Sequence, residues 1–186
     1  MQTTDPRKND GRALTHRQGR VVILLGSSSD MPVTEDGTVL LRRHGVPFSL
    51  RICSAHRTPE KLHEILRAAE ADPAGDALVY ICVAGMSAHL AGVVASLTLK
   101  PVLAVPVYRP ETAGFDALMS MSQMPKGIPV GTMGFGKHGF INACLQAAQM
   151  FALSDPRLAL GLAEERAAMA QQVDEDDARH RQDFGG

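Results

Sequence analysis

Apolar residues cluster in short runs that alternate with longer amphipathic stretches. Residues 21–25 read Val-Val-Ile-Leu-Leu, a continuous β-branched and aliphatic run closed by Gly26, as expected of a strand buried on both faces. Similar runs at 48–53, 77–84 and 102–107 predict three further strands, and residues 124–130 turn into a short fifth. The stretches between them carry helical spacing. Met31 or Pro32 to His44 predicts a helix, flawed by Gly37 but closed well by Arg42, Arg43, His44 and the C-terminal Gly45. Leu62, Ile65, Leu66 and Ala69 share one helix face; Leu90, Val93, Val94 and Leu97 share another. A short helix over 115–124 is expected to turn Phe115, Leu118 and Met119 inward. A longer one covers 140–153, after a glycine-rich link at 131–139. Strand and helix alternate throughout, which predicts an α/β fold: a parallel sheet with helices on both faces.

The ends of the chain depart from this pattern. Residues 1–20 are polar, rich in Arg and Lys and without apolar periodicity, and read as a disordered leader; Asp5 and Asp10 count against a transit peptide. An α/β domain is expected over 21–153, then a C-terminal helix and tail over 154–186. That last helix, from Arg157 to about Asp177, has sparse apolar positions at Leu158, Leu162, Met169 and Val173. It gains little by packing on its own domain alone, so it is expected across a neighbouring subunit, with a loosely docked tail as the alternative.

Composition narrows the picture. At 186 residues, 45% of them hydrophobic and with a formal charge of -1, one domain with a substantial core is expected, without a nucleic-acid or membrane surface. No apolar run is long enough to span a bilayer. Cys53, Cys82 and Cys144 are odd in number and embedded in apolar sequence, so buried thiols in a reducing, cytoplasmic compartment are expected rather than disulfides or a metal site.

The candidate chemistry lies in three loops that follow successive strands. Ser54, Ala55, His56 and Arg57 precede Thr58-Pro59, an N-cap followed by a first-turn proline, so a hydroxyl, a guanidinium and an imidazole sit at a helix start. Such a place suits a phosphate, and His56 suits proton transfer. Ser27, Ser29 and Asp30 form either an N-cap cluster or a phosphate-holding loop, with Asp30 accepting from a sugar hydroxyl or orienting a histidine. Gly85, Ser87, His89 and Leu90 belong to the third loop, where His89 is either functional or a packed helix-start residue. Neither Gly-x-Gly-x-x-Gly nor a Walker lysine is present. Beyond the carboxyl ends of parallel strands these loops can converge.

Five motifs now stand in order: Gly26-Ser27-x-Ser29-Asp30, Ser54-Ala55-His56-Arg57-Thr58-Pro59, Ala88-His89-Leu90, Gln123-Met124-Pro125-x-Gly127-Ile128-Pro129-Val130-Gly131-Thr132, and Gly136-Lys137 with Asn142-Ala143 behind it. Together they resemble the N5-carboxyaminoimidazole ribonucleotide mutases, the class I phosphoribosylaminoimidazole carboxylases of purine biosynthesis. The resemblance runs from about Val21 to Leu153. It implies a flavodoxin-like three-layer α/β/α fold, a homo-octamer with the C-terminal helix on a neighbouring subunit, and no metal or nucleotide cofactor. It implies that Ser29, Ser54 and Arg57 hold the 5′-phosphate with Ser27 nearby, and that Asp30 faces the ribose. His56 would be the general acid/base, and the loop from Gly85 to His89 would close over the imidazole and carboxylate. His56, His89 and Asp30 are thus the catalytic candidates. Ala55, Gly85, Ser87 and Leu90 join the substrate-binding set, and CO2 is expected as a trapped intermediate.

One departure bears on the carboxyl source. Met86 and Ser87 replace a glycine and an alanine usual in the family, and Ala84-Gly85-x-Ser87 resembles the class II enzymes, which carboxylate aminoimidazole ribonucleotide directly with CO2. Direct carboxylation is therefore the second reading, and a non-catalytic phosphoribosyl-binding module the third.

Overall fold

The computed structural model describes residues 19–71 and 78–183. Most of the expected leader, the first residue of the expected third strand at 77 and the last three residues of the expected tail lie outside the described residues. Five strands, β1 (Arg20–Leu25), β2 (Phe48–Ile52), β3 (Leu78–Ala84), β4 (Val102–Pro106) and β5 (Gly131–Thr132), pair in parallel in the order β2-β1-β3-β4-β5. Six α-helices connect and follow them: α1 (Glu35–Arg43), α2 (Pro59–Glu70), α3 (Leu90–Leu97), α4 (Phe115–Ser122), α5 (Gly136–Ala152) and α6 (Pro156–Asp183). This strand order is that of the flavodoxin-like fold, whose switch point lies between β1 and β3.

Side chains alternate across the sheet and build one core on each face. Val21, Ile23, Leu25, Ile81 and Val105 pack under α1 and α5, against Leu41, Phe140 and Ala147. Val22, Leu24, Tyr80, Cys82 and Ala104 face α2, α3 and α4, against Leu62, Leu66, Val94 and Met121. Each large aliphatic side chain buried this way contributes roughly 1.5–3 kcal/mol. Gly37, expected as a flaw in its helix, has a packing role: a Cβ there would come 2.5 Å from the Phe140 ring and 2.9 Å from Cys144 Sγ. Its absence lets α1 and α5 approach closely.

Several boundaries move. The expected helix from residue 31 opens instead as a 3-10 helix, Ser28–Thr34, before α1, so Ser29 and Asp30 are helical rather than loop residues. Arg20, placed in the leader, begins β1. The fifth strand falls at Gly131–Thr132, beyond residues 124–130, and α5 starts at Gly136 rather than 140. In α4 the buried residues are Ala117 and Met121, while Phe115 and Met119 are exposed. Leu97 likewise lies exposed.

Helix α6 runs to Asp183, past the expected end. Leu158 and Leu162 join the α5 side of the core, whereas Leu160, Met169 and Val173 are exposed. Glu165 fastens α6 to the end of α1: it bonds His44 Nε2 and, at 2.9 Å, Arg43 Nη1. His44, expected at the closing end of its helix, has its side chain only 7% exposed in this contact. Among the described residues, no helix is long and apolar enough to cross a membrane.

Candidate active site

Parallel strands send all their carboxyl ends to one edge, and the backbone ladders continue past them. Gly26 N–H donates to Val83 O at 3.0 Å, Cys53 N–H to Leu25 O at 2.9 Å, and Val107 N–H to Ala84 O at 2.9 Å. Four loops are thereby held side by side.

The loop after β1 is tightly bonded. Ser27, extended at φ -153°, caps the 3-10 helix and accepts from Ser29 N–H at 3.3 Å. The Ser29 hydroxyl lies 3.0 Å from Ser27 Oγ and 3.4 Å from Asp30 Oδ1. The N-cap reading of this cluster therefore describes its local structure, while its hydroxyls still face the site. Asp30 is 2% exposed. Burial pushes its carboxyl above the usual carboxylate range; Arg109, the Ser29 hydroxyl and the Ser27 backbone act in the opposite direction. Its side-chain partners are Ser29 and Arg109, not a histidine.

Thr58 does occupy the N-cap of α2 with Pro59 next, but its hydroxyl does not cap the helix. It turns back, accepting from Ser54 N–H at 2.9 Å and donating to Ser54 O at 3.2 Å. Ser54 Oγ in turn accepts from Arg57 N–H at 3.2 Å. The loop after β2 is thus braced from within, with His56 and Arg57 exposed on it. Cys53, just before it, is buried, and burial raises its thiol, which stays protonated and unreactive.

The loop after β3 is built differently. Met86 and Ala88 adopt positive φ, 58° and 40°, a conformation that disfavours residues with a side chain. One backbone bond, Ala88 N–H to Gly85 O at 3.2 Å, closes the turn. The loop carries His89 to His56: Nδ1 of His89 and Nε2 of His56 are 2.8 Å apart, with the rings edge to face at 4.9 Å. One nitrogen of this pair holds a proton and the other accepts it.

These loops enclose a cavity of about 460 Å³. The expected catalytic and substrate-binding residues line it: Ser27, Ser29 and Asp30; Ser54, Ala55, His56 and Arg57; Gly85, Ser87, His89 and Leu90; the motifs at 123–132 and 136–143 do not. Arg109 lines it too and was missed. It stands three residues beyond the end of β4, and the rule that ligands lie at the carboxyl ends of strands, applied to the fourth strand, would have found it. The segment around it reads in sequence only as a surface loop. Among the described residues no cluster of three His, Cys, Asp or Glu side chains could hold a metal ion.

Fold and pocket together define a doubly wound α/β protein with a hydroxyl- and cation-lined site at its switch point. Comparison with known proteins makes the assignment narrower. A family profile described as AIR carboxylase matches residues 20–172. The N5-carboxyaminoimidazole ribonucleotide mutase of Methanocaldococcus jannaschii is 43% identical over 164 residues, covering 88% of this chain and 99% of that protein. The mutase of Escherichia coli K12 is 42% identical over 154 residues, covering 83% of this chain and 89% of its own. The crystal structure of Treponema denticola PurE aligns with a TM-score of 0.79 at 34% identity, over 87% of this chain and 98% of that one. The chain belongs to the AIR carboxylase family.

Proposed function

We propose that this protein is an N5-carboxyaminoimidazole ribonucleotide mutase, moving the substrate's carboxylate from the exocyclic nitrogen to C4 of the imidazole. The observation that carries the reading is the His56–His89 pair at 2.8 Å inside the cavity that also holds Ser29, Ser54 and Arg57. The mutase names of the relatives support it over direct carboxylation and over a non-catalytic module.

The chemistry needs one mobile proton and a closed space. Loss of CO2 from the carbamate leaves the exocyclic nitrogen to be protonated; the His56 imidazolium supplies that proton. C4 then attacks the held CO2, and the now neutral His56 removes the proton from C4, restoring aromaticity and the starting protonation state. Confinement of aminoimidazole and CO2 in one cavity replaces a bimolecular encounter and supplies much of the acceleration. His89 shares the proton with His56 and fixes the ring. Ser27, Ser29, Ser54 and Arg57 hold the 5′-phosphate, Asp30 meets the ribose, and Ala55, Gly85, Ser87 and Leu90 wall the base. The same reading places the protein in the cytoplasm as a homo-octamer, with the exposed apolar residues of α6 against a neighbouring subunit.

The deciding experiment offers purified protein either N5-carboxyaminoimidazole ribonucleotide or aminoimidazole ribonucleotide with CO2. Rapid turnover of the first and little of the second is expected. The reverse preference would assign direct carboxylation, and binding without turnover of either would leave a ligand-binding module.

A further inference from the structure

Two guanidinium groups line the cavity, and they are held differently. Arg57 bonds Ser54 through its backbone N–H and has an exposed side chain. Arg109 reaches in from the end of β4, with its Nη2 3.3 Å from both Ser29 Oγ and Asp30 Oδ1. Its Nε lies against Gly85, where an added Cβ would come to 3.3 Å. The group therefore bridges the loops after β1 and β3 and donates to the Ser29 hydroxyl, which is itself bonded to Ser27. A dianion taken up by those hydroxyls must sit beside the Asp30 carboxylate, which is only 2% exposed. Like charges so close, and shielded from water, repel strongly. A planar cation shared between them removes the conflict, and a guanidinium can do this because it presents several donors in a fixed fork. The Arg109 side chain is 36% exposed, which leaves donors open to the cavity while Nη2 stays on Asp30.

We propose that Arg109 is a specificity-determining residue, the second phosphate-holding cation of the site, its guanidinium shared between Asp30 and the phosphate of the ligand. The motifs that carry the family resemblance do not include it, and the inference rests on the phosphoribosyl reading given above. It makes the preference for a phosphorylated ligand depend on two arginines, one beyond β2 and one beyond β4, rather than on Arg57 as the single cation.

The test is calorimetric titration of the full chain with 5-aminoimidazole ribonucleotide and, separately, with its phosphate-free riboside. Arg109→Gln should weaken the ribonucleotide about 10- to 100-fold, the usual span for a charge-assisted contact, and leave the riboside within about twofold. Arg109→Lys, which keeps the charge and part of the packing, should recover part of the loss, and provides the measurement if the Gln variant folds poorly. The salt dependence of ribonucleotide binding should be shallower in Arg109→Gln than in the native protein. Equal weakening of both ligands would mean Arg109 only shapes the pocket through Asp30, and unchanged ribonucleotide binding would remove it from the site; either overturns the proposal. A native protein that binds neither ligand would overturn the phosphoribosyl reading and this inference with it. Native turnover with unaltered Arg109→Gln binding overturns the inference alone.

Discussion

The two walls of the cavity are built on opposite principles. On one side, the loops after β1 and β2 are satisfied internally: Ser27 caps, Ser29 bonds Ser27, and Ser54 and Thr58 bond each other three times. On the other, the loop after β3 has Met86 and Ala88 in the left-handed region, and its Met86 side chain is 67% exposed. The first wall is preorganised to hold a ligand without rearrangement. The second stores about 1–2 kcal/mol of backbone strain per such residue while presenting His89 to His56. Under the proposed function, holding falls to the relaxed wall and closure over the reacting atoms to the strained one.

Substitutions can break this division, and the largest effect is expected where the walls meet. His56→Asn should lower turnover by about two orders of magnitude or more, the usual share of a general acid/base, with ribonucleotide affinity nearly unchanged by calorimetry. Unchanged turnover would remove His56 from the chemistry. Next in size, Arg57→Ala on the relaxed wall should weaken phosphorylated ligands about 10- to 100-fold, seen as a higher KM with kcat little altered. A fall in kcat alone would contradict the assignment of holding to this side.

Stability effects are smaller. The Asp30 carboxyl is raised above its ordinary value of 3.8 in the folded chain, mainly by burial. The folded state therefore binds that proton more tightly than the unfolded one. The resulting stabilisation is full below pH 3.8 and is lost as the pH rises through the raised folded value. Asp30→Asn should accordingly raise Tm at neutral pH, with the gain shrinking towards pH 4, while ribonucleotide binding weakens through the lost ribose contact. A Tm gain independent of pH would point to packing instead. Smallest of all, Met86→Gly should relieve the left-handed strain but loosen the unfolded chain. About 0.5 kcal/mol of net gain remains, one or two degrees in Tm by calorimetry. A loss of stability would mean that the Met86 side chain makes contacts which outweigh the strain.

The central strands were legible because burial on both faces removes polar residues from them: Val21 to Leu25 and Leu78 to Ala84 carry no charge at all. The site loops were legible for a related reason, since parallel topology sends every strand end to one edge. The elements that moved have weaker signals. In α4 the bulky Phe115 and Met119 stay exposed while Ala117 and Met121 are buried, so size misleads where a short helix lies on a crowded sheet. β5 is only two residues long, and a side chain at Gly131 would meet Leu103 at 2.9 Å. Arg109 was hidden because its partners, Ser29 and Asp30, lie 80 and 79 residues away. No local pattern announces a contact between loops joined only by the sheet.

The notch at Gly37 carries one more consequence. It sits in the first turn of α1, directly after the 3-10 helix that bears Asp30, and the Phe140 ring fills it from α5, the neighbouring helix in the same layer. A methyl group placed there would act as a wedge, levering the start of α1 off α5 and swinging the carboxylate away from Arg109. Damage deep beneath the sheet, on the side that no ligand touches, would then surface as a fault in how the pocket grips its guest.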